Sequence, residues 1–400
     1  MADFNSELVD VLQYQVDTCE SFRKIGEKCG ITTKSQLEGI VESQDWAALP
    51  ALFDRTFKKS AGLYAKLKFD VQGTWHISSS TSGDPSYVWR TPDDEQLLLE
   101  SYIGCYKHAT KPDLDVMISF SPAMIVQKNL SKRYDLHDGT TVKVQSMIPT
   151  TAAEKASTRR YIELVKVNVP KTIWQTRVKK IHRPVLEINT NEFEEALSEA
   201  KENHFSVCFG GSPIFMNQLF KMSKKFPKPD DLYILTGGGG WDGMKGALSE
   251  ETIDKAALIR MVGTAMDIPE AIWEKRFWDD YGVTEKVFSC IGHWSADQND
   301  FVYSTDDLVP ETKIIAKDLI TGDAIKEGNG VVCIISPYGN EGAPTAVIQE
   351  SDEITVLSTN ADGSVKEFTG IKRIPEKNQA GSEGVDKIGC AGTFGNIDIT

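Results

Sequence analysis

Apolar side chains in the first thirty residues recur near a helical period. Leu8, Val9, Leu12, Val16 and Phe22 predict a helix over residues 5–28, and a second is expected over residues 34–41. Residues 46–59, with Trp46, Leu49, Leu52, Phe53 and Phe57, read as helical packing against the main body. Residues 93–105 read as a helix and residues 114–120 as a short buried strand. From there to about residue 275 short apolar runs alternate with amphipathic segments. Strands are expected at 185–188, 206–209 and 232–235, with helices at 192–203 and at 214–224, where Phe215, Leu219 and Met222 share one side. This alternation predicts an α/β sheet covered by helices. In such sheets ligands lie at the carboxyl ends of strands.

The last hundred residues change character. Residues 330–335, 346–349, 354–357 and 365–368 read as strands, and Asn360-Ala-Asp-Gly363 as the hairpin turn between the last two. Beyond Pro375 the chain is polar and glycine-rich. The expected fold class is α/β, with a large lobe over residues 1–300 and a β-rich part with a short tail over 301–400.

Composition narrows the function classes. A net charge of -14 over 400 residues, with no basic stripe, argues against a nucleic-acid surface, which needs clustered Lys and Arg. It leaves room for a nucleotide pocket, where a few donors and a metal ion suffice. Seven cysteines, odd in number and without paired spacing, suggest reduced thiols. The start, Met-Ala-Asp-Phe-Asn-Ser-Glu, lacks the features of a signal peptide, and the longest apolar runs are strand-sized, such as residues 331–335. A cytoplasmic protein without a membrane span is expected.

Two stretches carry candidate chemistry. Ser78 to Ser82 are five consecutive hydroxyl residues, followed by Gly83, Asp84 and Pro85. Each hydroxyl competes locally for backbone hydrogen bonds, so the stretch reads as a loop that presents donors. Such a loop can wrap an anion, or can simply be a solvated surface turn. Gly237 to Gly240 follow the strand at 232–235. Successive glycines let backbone lie against a flat ligand, such as a purine, or form a flexible turn. Asp280-Tyr-Gly-Val-Thr-Glu285 offers a ring, a hydroxyl and a hard-cation ligand in one segment. Cys290 and His293 form a Cys-x-x-His pair, which lacks the two further ligands of a metal site. His293 is a candidate pocket residue.

The order of these pieces resembles the adenylate-forming superfamily, which activates carboxylates as acyl-AMP. It looks closest to the LuxE-type acyl-protein synthetases and their phenylacetate–CoA ligase and phenazine-pathway relatives. The shared features are Leu49-Pro50 with Phe57-Lys58, Ser80-Thr-Ser-Gly83, Thr236-Gly-Gly-Gly-Gly-Trp241, Tyr281 to Glu285, and Gly389-Cys390. The resemblance implies an adenylate-forming lobe with ATP and Mg²⁺ as cofactors and a carboxylic acid as substrate. Ser80, Thr81, Ser82 and Gly83 would cradle the ATP phosphates. Gly238, Gly239, Gly240 and Trp241 would line the adenine and acyl sites, and Tyr281 would stack on the adenine. Thr284 would bond the phosphate or carboxylate, and Glu285 would hold Mg²⁺. Asp352 would accept the ribose hydroxyls, with Asp323 a competitor, and Arg373 would be the basic partner near the hinge.

In the acyl-protein synthetases a cysteine in a similar Gly-Cys context takes the acyl group as a thioester, which points to Cys390. From there it would pass to a partner enzyme. Coenzyme A or an amine is the alternative acceptor, and a nucleotide-binding protein without turnover is the alternative of another class. Phe209, Phe215, Trp241 and Trp294 near the expected pocket suit a fatty acyl chain or an aromatic acid. The sequence departs from the relatives in three places. Asp84-Pro-Ser-Tyr87 replaces the second Thr-Gly pair and trailing Lys, Asp242 stands where a Lys commonly follows the Trp, and the usual C-terminal domain with its catalytic Lys has little room after Arg373. Lys372 or Lys377 would have to substitute, or the adenylation step is altered.

Overall fold

The computed structural model describes residues 3–58, 64–78, 85–133, 140–168, 185–222, 224–237, 239, 241, 252–306, 308–374 and 397–399. Among them, fifteen strands join one mixed sheet. Its middle is parallel: Arg160–Asn168, Val116–Pro122, Ser206–Gly211, Asp231–Gly237 and Phe277–Gly282 lie side by side and run the same way. Val116–Pro122, Ser206–Gly211 and Asp231–Gly237 at its centre are mostly apolar, as expected where helices cover both faces. Four helices, Pro92–Ala109, Met147–Ala156, Thr190–Glu202 and Pro213–Phe220, pack within the same region. Phe193, Phe209, Phe220 and Phe226 form an aromatic nest between them, edge-on but for the stacked Phe209–Phe220 pair.

Beyond Phe277–Gly282 the sheet turns antiparallel. Ser289–Ser295, Asp300–Ser304, Val365–Arg373, Val347–Thr359, Gly328–Ile335 and Lys313–Lys317 follow in spatial order. The expected strands at 346–349 and 354–357 are one strand, Val347–Thr359, whose pairing is irregular between them. Strands at 160–168, 277–282, 289–295 and 300–304 have no counterpart in the expectation. Their polar interruptions, such as the Asp279-Asp280 pair, mask the alternation that marks a strand.

The amino-terminal segment also differs. The expected helix over 5–28 is two helices, Phe4–Thr18 and Glu20–Lys28, because Cys19 adopts an extended conformation between them. Residues 46–57 are two short 3₁₀ turns around the strand Leu52–Phe53, which pairs in parallel with Ile348 and Gln349. Pro50 withholds the N–H a helix would need there. This segment closes its own core against the antiparallel strands, through Leu8, Phe22, Leu52, Phe57, Ile335 and Ile348.

A separate three-stranded sheet flanks the hydroxyl stretch, of which residues 79–84 lie outside the described ones. Thr74–Ile77 pairs antiparallel with Tyr87–Arg90 and parallel with Val142–Val144, so residues 78–86 connect two strands of a hairpin. Its base is pinned by fully buried His76, whose ring nitrogens lie 2.9 Å from Gln145 Oε1 and 2.9 Å from Glu95 Oε1. Burial draws the His76 pKa down, although Glu95 favours its protonated form. Among the described residues no helix is long and apolar enough to cross a membrane.

Candidate active site

Three neighbouring parallel strands end side by side in glycine. Gly210 and Gly211 close Ser206–Gly211, Gly237 closes Asp231–Gly237 and Gly282 closes Phe277–Gly282. Register places Gly211 beside Thr236, and Gly237 beside Asp280. Gly211 has φ +133°, and a Cβ there would stand 2.8 Å from the Phe120 carbonyl carbon. A Cβ on Gly282 would meet Tyr102 Oη at 2.8 Å. At these positions the missing side chain lets the Phe120 backbone and the Tyr102 hydroxyl close in, so the strand ends pack into a floor of backbone at the carboxyl edge, where ligands lie in such sheets. Gly210-Gly211 escaped the sequence reading, although a glycine pair directly after an apolar run is the same signal that drew attention to Gly237.

At the edge of this floor lies a buried charge network. Arg373 donates through Nη1 to Asp352 Oδ1 at 3.0 Å and through Nη2 to Asp54. Asp352 and Arg373 face each other across neighbouring strands. Asp352 also accepts from the Tyr281 hydroxyl at 3.1 Å. Asp54 collects two more donors, Lys58 Nζ at 2.9 Å and Ser351 Oγ at 2.7 Å. Glu285 accepts from the Ser86 hydroxyl, just past the hydroxyl loop. Arg90 donates to the carbonyl of Thr284 at 2.6 Å, fixing the turn that presents Glu285. The structure therefore brings together Tyr281, Glu285, Asp352 and Arg373, with half-buried Thr284 between the first two.

The electrostatics follow from burial and pairing. Burial alone would raise the Asp54 pKa, but Lys58 and Arg373 outweigh it and hold the carboxyl below its usual range. Burial raises the pKa of Glu285, reinforced by Asp54 and resisted by Lys58 and the Ser86 hydroxyl. Glu350 is pushed further up, by burial first and then by Glu285, Asp54 and Asp352. Around Arg373 burial is overcome by Asp352 and Asp54, so its charge is held more firmly than usual. Asp54, Ser86 and Glu350 were not assigned from the sequence. Asp54 and Lys58 stand four apart beside the quoted Phe57-Lys58, and Glu350 lies two residues before Asp352, so proximity to named residues was the available signal.

The other expected residues divide. Gly239 is described, in a left-handed conformation at φ +63°. Trp241 packs on Phe301 with centroids 6.1 Å apart, and Lys255 Nζ lies 5.9 Å from its ring. Ser80, Thr81, Ser82, Gly83, Gly238, Gly240 and Cys390 lie outside the described residues. The Tyr281 ring meets Phe288, Tyr303 and Phe368 edge-on. Phe209 and Phe215 are fully buried core residues, and Trp294 packs on Phe301. Cys290 and His293 lie three apart on one strand, which sends their side chains to opposite faces and rules out joint ligation. Cys290 is fully buried, and His293 lies 3.5 Å from Glu274.

The donors beside the floor suit a hard cation. Glu285 supplies a carboxylate and Ser86 a hydroxyl, all oxygen, as Mg²⁺ prefers. Among the described residues no group of three or more His, Cys, Asp or Glu could hold a metal unaided.

No family model matches the sequence, and no curated protein matches it. Solved structures do. An open conformation of 2-hydroxyisobutyryl-CoA ligase with 2-HIB-AMP and CoA aligns at TM-score 0.55 and 11% identity, over 92% of this chain and 68% of that one. The same ligase with 2-HIB-AMP and CoA in its thioesterification state gives 0.54 and 13%, over 92% and 67%. In its postadenylation state with 2-HIB-AMP it gives 0.52 and 12%, over 91% and 65%. The chain thus spans about two thirds of that ligase's length. At such identity the likeness is one of fold, and on it this chain, with its large mixed sheet and glycine-built strand ends, has the fold of adenylate-forming ligases.

Proposed function

We propose that the protein is an ATP-dependent carboxylate ligase that makes an acyl-adenylate and passes the acyl group to a thiol. The observation that carries this reading is the meeting of Tyr281, Glu285, Asp352 and Arg373 beside a glycine-built floor, at the carboxyl ends of parallel strands. ATP would lie across that floor. Asp352 keeps free lone pairs beyond its bonds to Arg373 and Tyr281, so it can accept the ribose hydroxyls. The hydroxyl loop, held on its hairpin, would meet the phosphates, and the Thr284 hydroxyl would orient the phosphate or the incoming carboxylate. Glu285 and Ser86 would hold Mg²⁺, which when bound supplies countercharge to the phosphates.

In the first half-reaction a substrate carboxylate oxygen attacks the α-phosphorus, forming the O–P bond as pyrophosphate leaves. The chain contributes positioning and positive charge, from Arg373 and from Lys58, which Asp54 holds in place. In the second, a thiolate attacks the acyl carbonyl and AMP leaves. Cys390 is the proposed thiol, in the manner of acyl-protein synthetases, with a fatty acid as the proposed substrate. Coenzyme A is the second reading of the acceptor, favoured by the CoA bound to the structurally similar ligase.

The test is carboxylate-dependent exchange of labelled pyrophosphate into ATP, over a panel of fatty and aryl acids, with wild type beside Cys390→Ser. Exchange in both with covalent acyl label only in wild type supports Cys390. Exchange with no label on either moves the acceptor to coenzyme A. ATP binding with no exchange from any acid overturns the ligase reading.

A further inference from the structure

The turn that carries Thr284 and Glu285 is clamped from both sides. On one side Arg90 donates to the Thr284 carbonyl at 2.6 Å. On the other, the next residue, Lys286, is fully buried and its ammonium enters the loop 336–345. There it meets three oxygens closely, Ser336 O at 2.9 Å, Asn340 Oδ1 at 3.0 Å and Thr345 O at 2.8 Å, with Tyr338 O farther off at 3.4 Å. Three close acceptors match the three protons of an ammonium. All four oxygens are uncharged. The Asn340 amide nitrogen donates to Ser336 O at 2.9 Å, which turns its oxygen toward Lys286. Burial first, and then Arg90, draw the Lys286 pKa down and Asp94 opposes them, so the charge is kept by its close acceptors. Converging carbonyl oxygens are also how proteins hold a bare monovalent cation. The loop around the ammonium is itself fixed. Gly342 and Glu341 donate their backbone N–H groups to Asp94 at 2.9 and 3.3 Å. Gly339, at φ +70°, lies so close to the turn that a Cβ there would stand 2.4 Å from the Val287 Cβ.

We propose that Lys286 acts as a tethered monovalent cation, closing an oxygen cage in the loop 336–345 and so positioning the Thr284–Glu285 turn of the site. The use of that turn rests on the ligase reading, whereas the cage is tested without it. A cage built for a cation accepts a free ion of the same charge when the lysine side chain is cut back, because the oxygens still converge on one point. Potassium and ammonium are the probes. Choline, whose methyl groups keep it out of such a cage, is the reference cation.

Wild type, Lys286→Ala and Lys286→Met are melted in choline, potassium and ammonium chloride at equal ionic strength. The control is Lys317→Ala, which deletes another buried lysine, one that meets the Ala47 carbonyl at 2.9 Å. In potassium or ammonium the melting temperature of Lys286→Ala should rise saturably, by at least about 2 °C more than that of wild type. Lys286→Met, whose side chain fills the space, should show no such excess, and neither should Lys317→Ala. If Lys286→Ala is unfolded in choline, folding restored by potassium or ammonium is the same result. A gain no larger than that of wild type, or a chain unfolded in all three salts, overturns the cage. Positioning is read separately, from the Mg²⁺ concentration that gives half-maximal pyrophosphate exchange. It should rise about tenfold in folded Lys286→Met, and in Lys286→Ala potassium or ammonium should bring it back toward the wild-type value. An unchanged Mg²⁺ dependence in Lys286→Met overturns the positioning role. Rescue of the melts with no exchange from wild type keeps the cage and removes the ligase reading.

Discussion

Replacing Arg373 by alanine should expose how much of the site's stability rests on one guanidinium. Arg373 spans Asp54 and Asp352, both nearly buried. When it is removed the two acids fare differently. Asp54 keeps Lys58 and Ser351 as donors, whereas among the described residues Asp352 keeps only the Tyr281 hydroxyl. Breaking a buried ion pair by deleting one partner costs about 3–5 kcal/mol, chiefly for the charge left behind. The Arg373 side chain retains 21% exposure, so water recovers part of that. About 2–4 kcal/mol is expected, read as a lower midpoint in urea at pH 7.5 for metal-free protein. Because the orphaned charge is mainly that of Asp352, adding Asp352→Asn to Arg373→Ala should restore at least half of the loss. Arg373→Lys should fall between, since a point charge cannot bridge both acids as the planar fork does. A loss under about 1 kcal/mol, or no rescue by Asp352→Asn, would refute the claim that this network is held by Arg373.

Three further outcomes are expected. Lys286 is fully buried and donates to Ser336 O at 2.9 Å, Asn340 Oδ1 at 3.0 Å and Thr345 O at 2.8 Å. Lys286→Met should cost about 3 kcal/mol in denaturant melts by stranding those acceptors. Gly211→Ala should cost at least about 1–3 kcal/mol from its positive φ alone, with a further loss from the Phe120 backbone, and should weaken ATP binding measured by calorimetry. Asp280 is pushed up to about 7, mainly by burial, against the Ser289 hydroxyl and with help from Asp279. A folded pKa above the unfolded one means that this group's contribution is best below about pH 4 and is lost as pH rises through about 7. Asp280→Asn should therefore raise the melting temperature, by a margin that grows from pH 4 to pH 7 and then levels. An equal margin at both ends would remove Asp280 as the cause.

The centre of the parallel half was legible because its strands are short apolar runs separated by amphipathic helices. Residues 206–209 and 232–235 were placed within two residues of their observed limits, and 185–188, on the strand that pairs antiparallel beside them with 160–168, at its own limits. The antiparallel half was less so. The last parallel strand, Phe277–Gly282, was missed as well: it holds Asp279, which accepts from Thr236 and Tyr303 inside the sheet, and no periodicity announces a buried acid satisfied by residues 43 and 24 positions away. The site divides on the same line. Glu285 and Asp352 stand in segments whose order could be recognised, whereas Asp54 and Glu350 acquire meaning only from neighbours distant in sequence.

That distance is bridged by one small piece of backbone. Leu52 and Phe53 pair in parallel with Ile348 and Gln349, so the next residues on each strand, Asp54 and Glu350, leave the pairing side by side. Ser351 then reaches Asp54, and Asp352 reaches Arg373, which returns to Asp54. Two paired residues thus set the spacing of three acids. Without that strand the amino-terminal segment would still have its own apolar core, but Asp54 would have no fixed register against Asp352. The segment before residue 58 is accordingly part of the site's architecture, and its pairing with Val347–Thr359 is what gives a charge network, unreadable as a motif, a defined geometry.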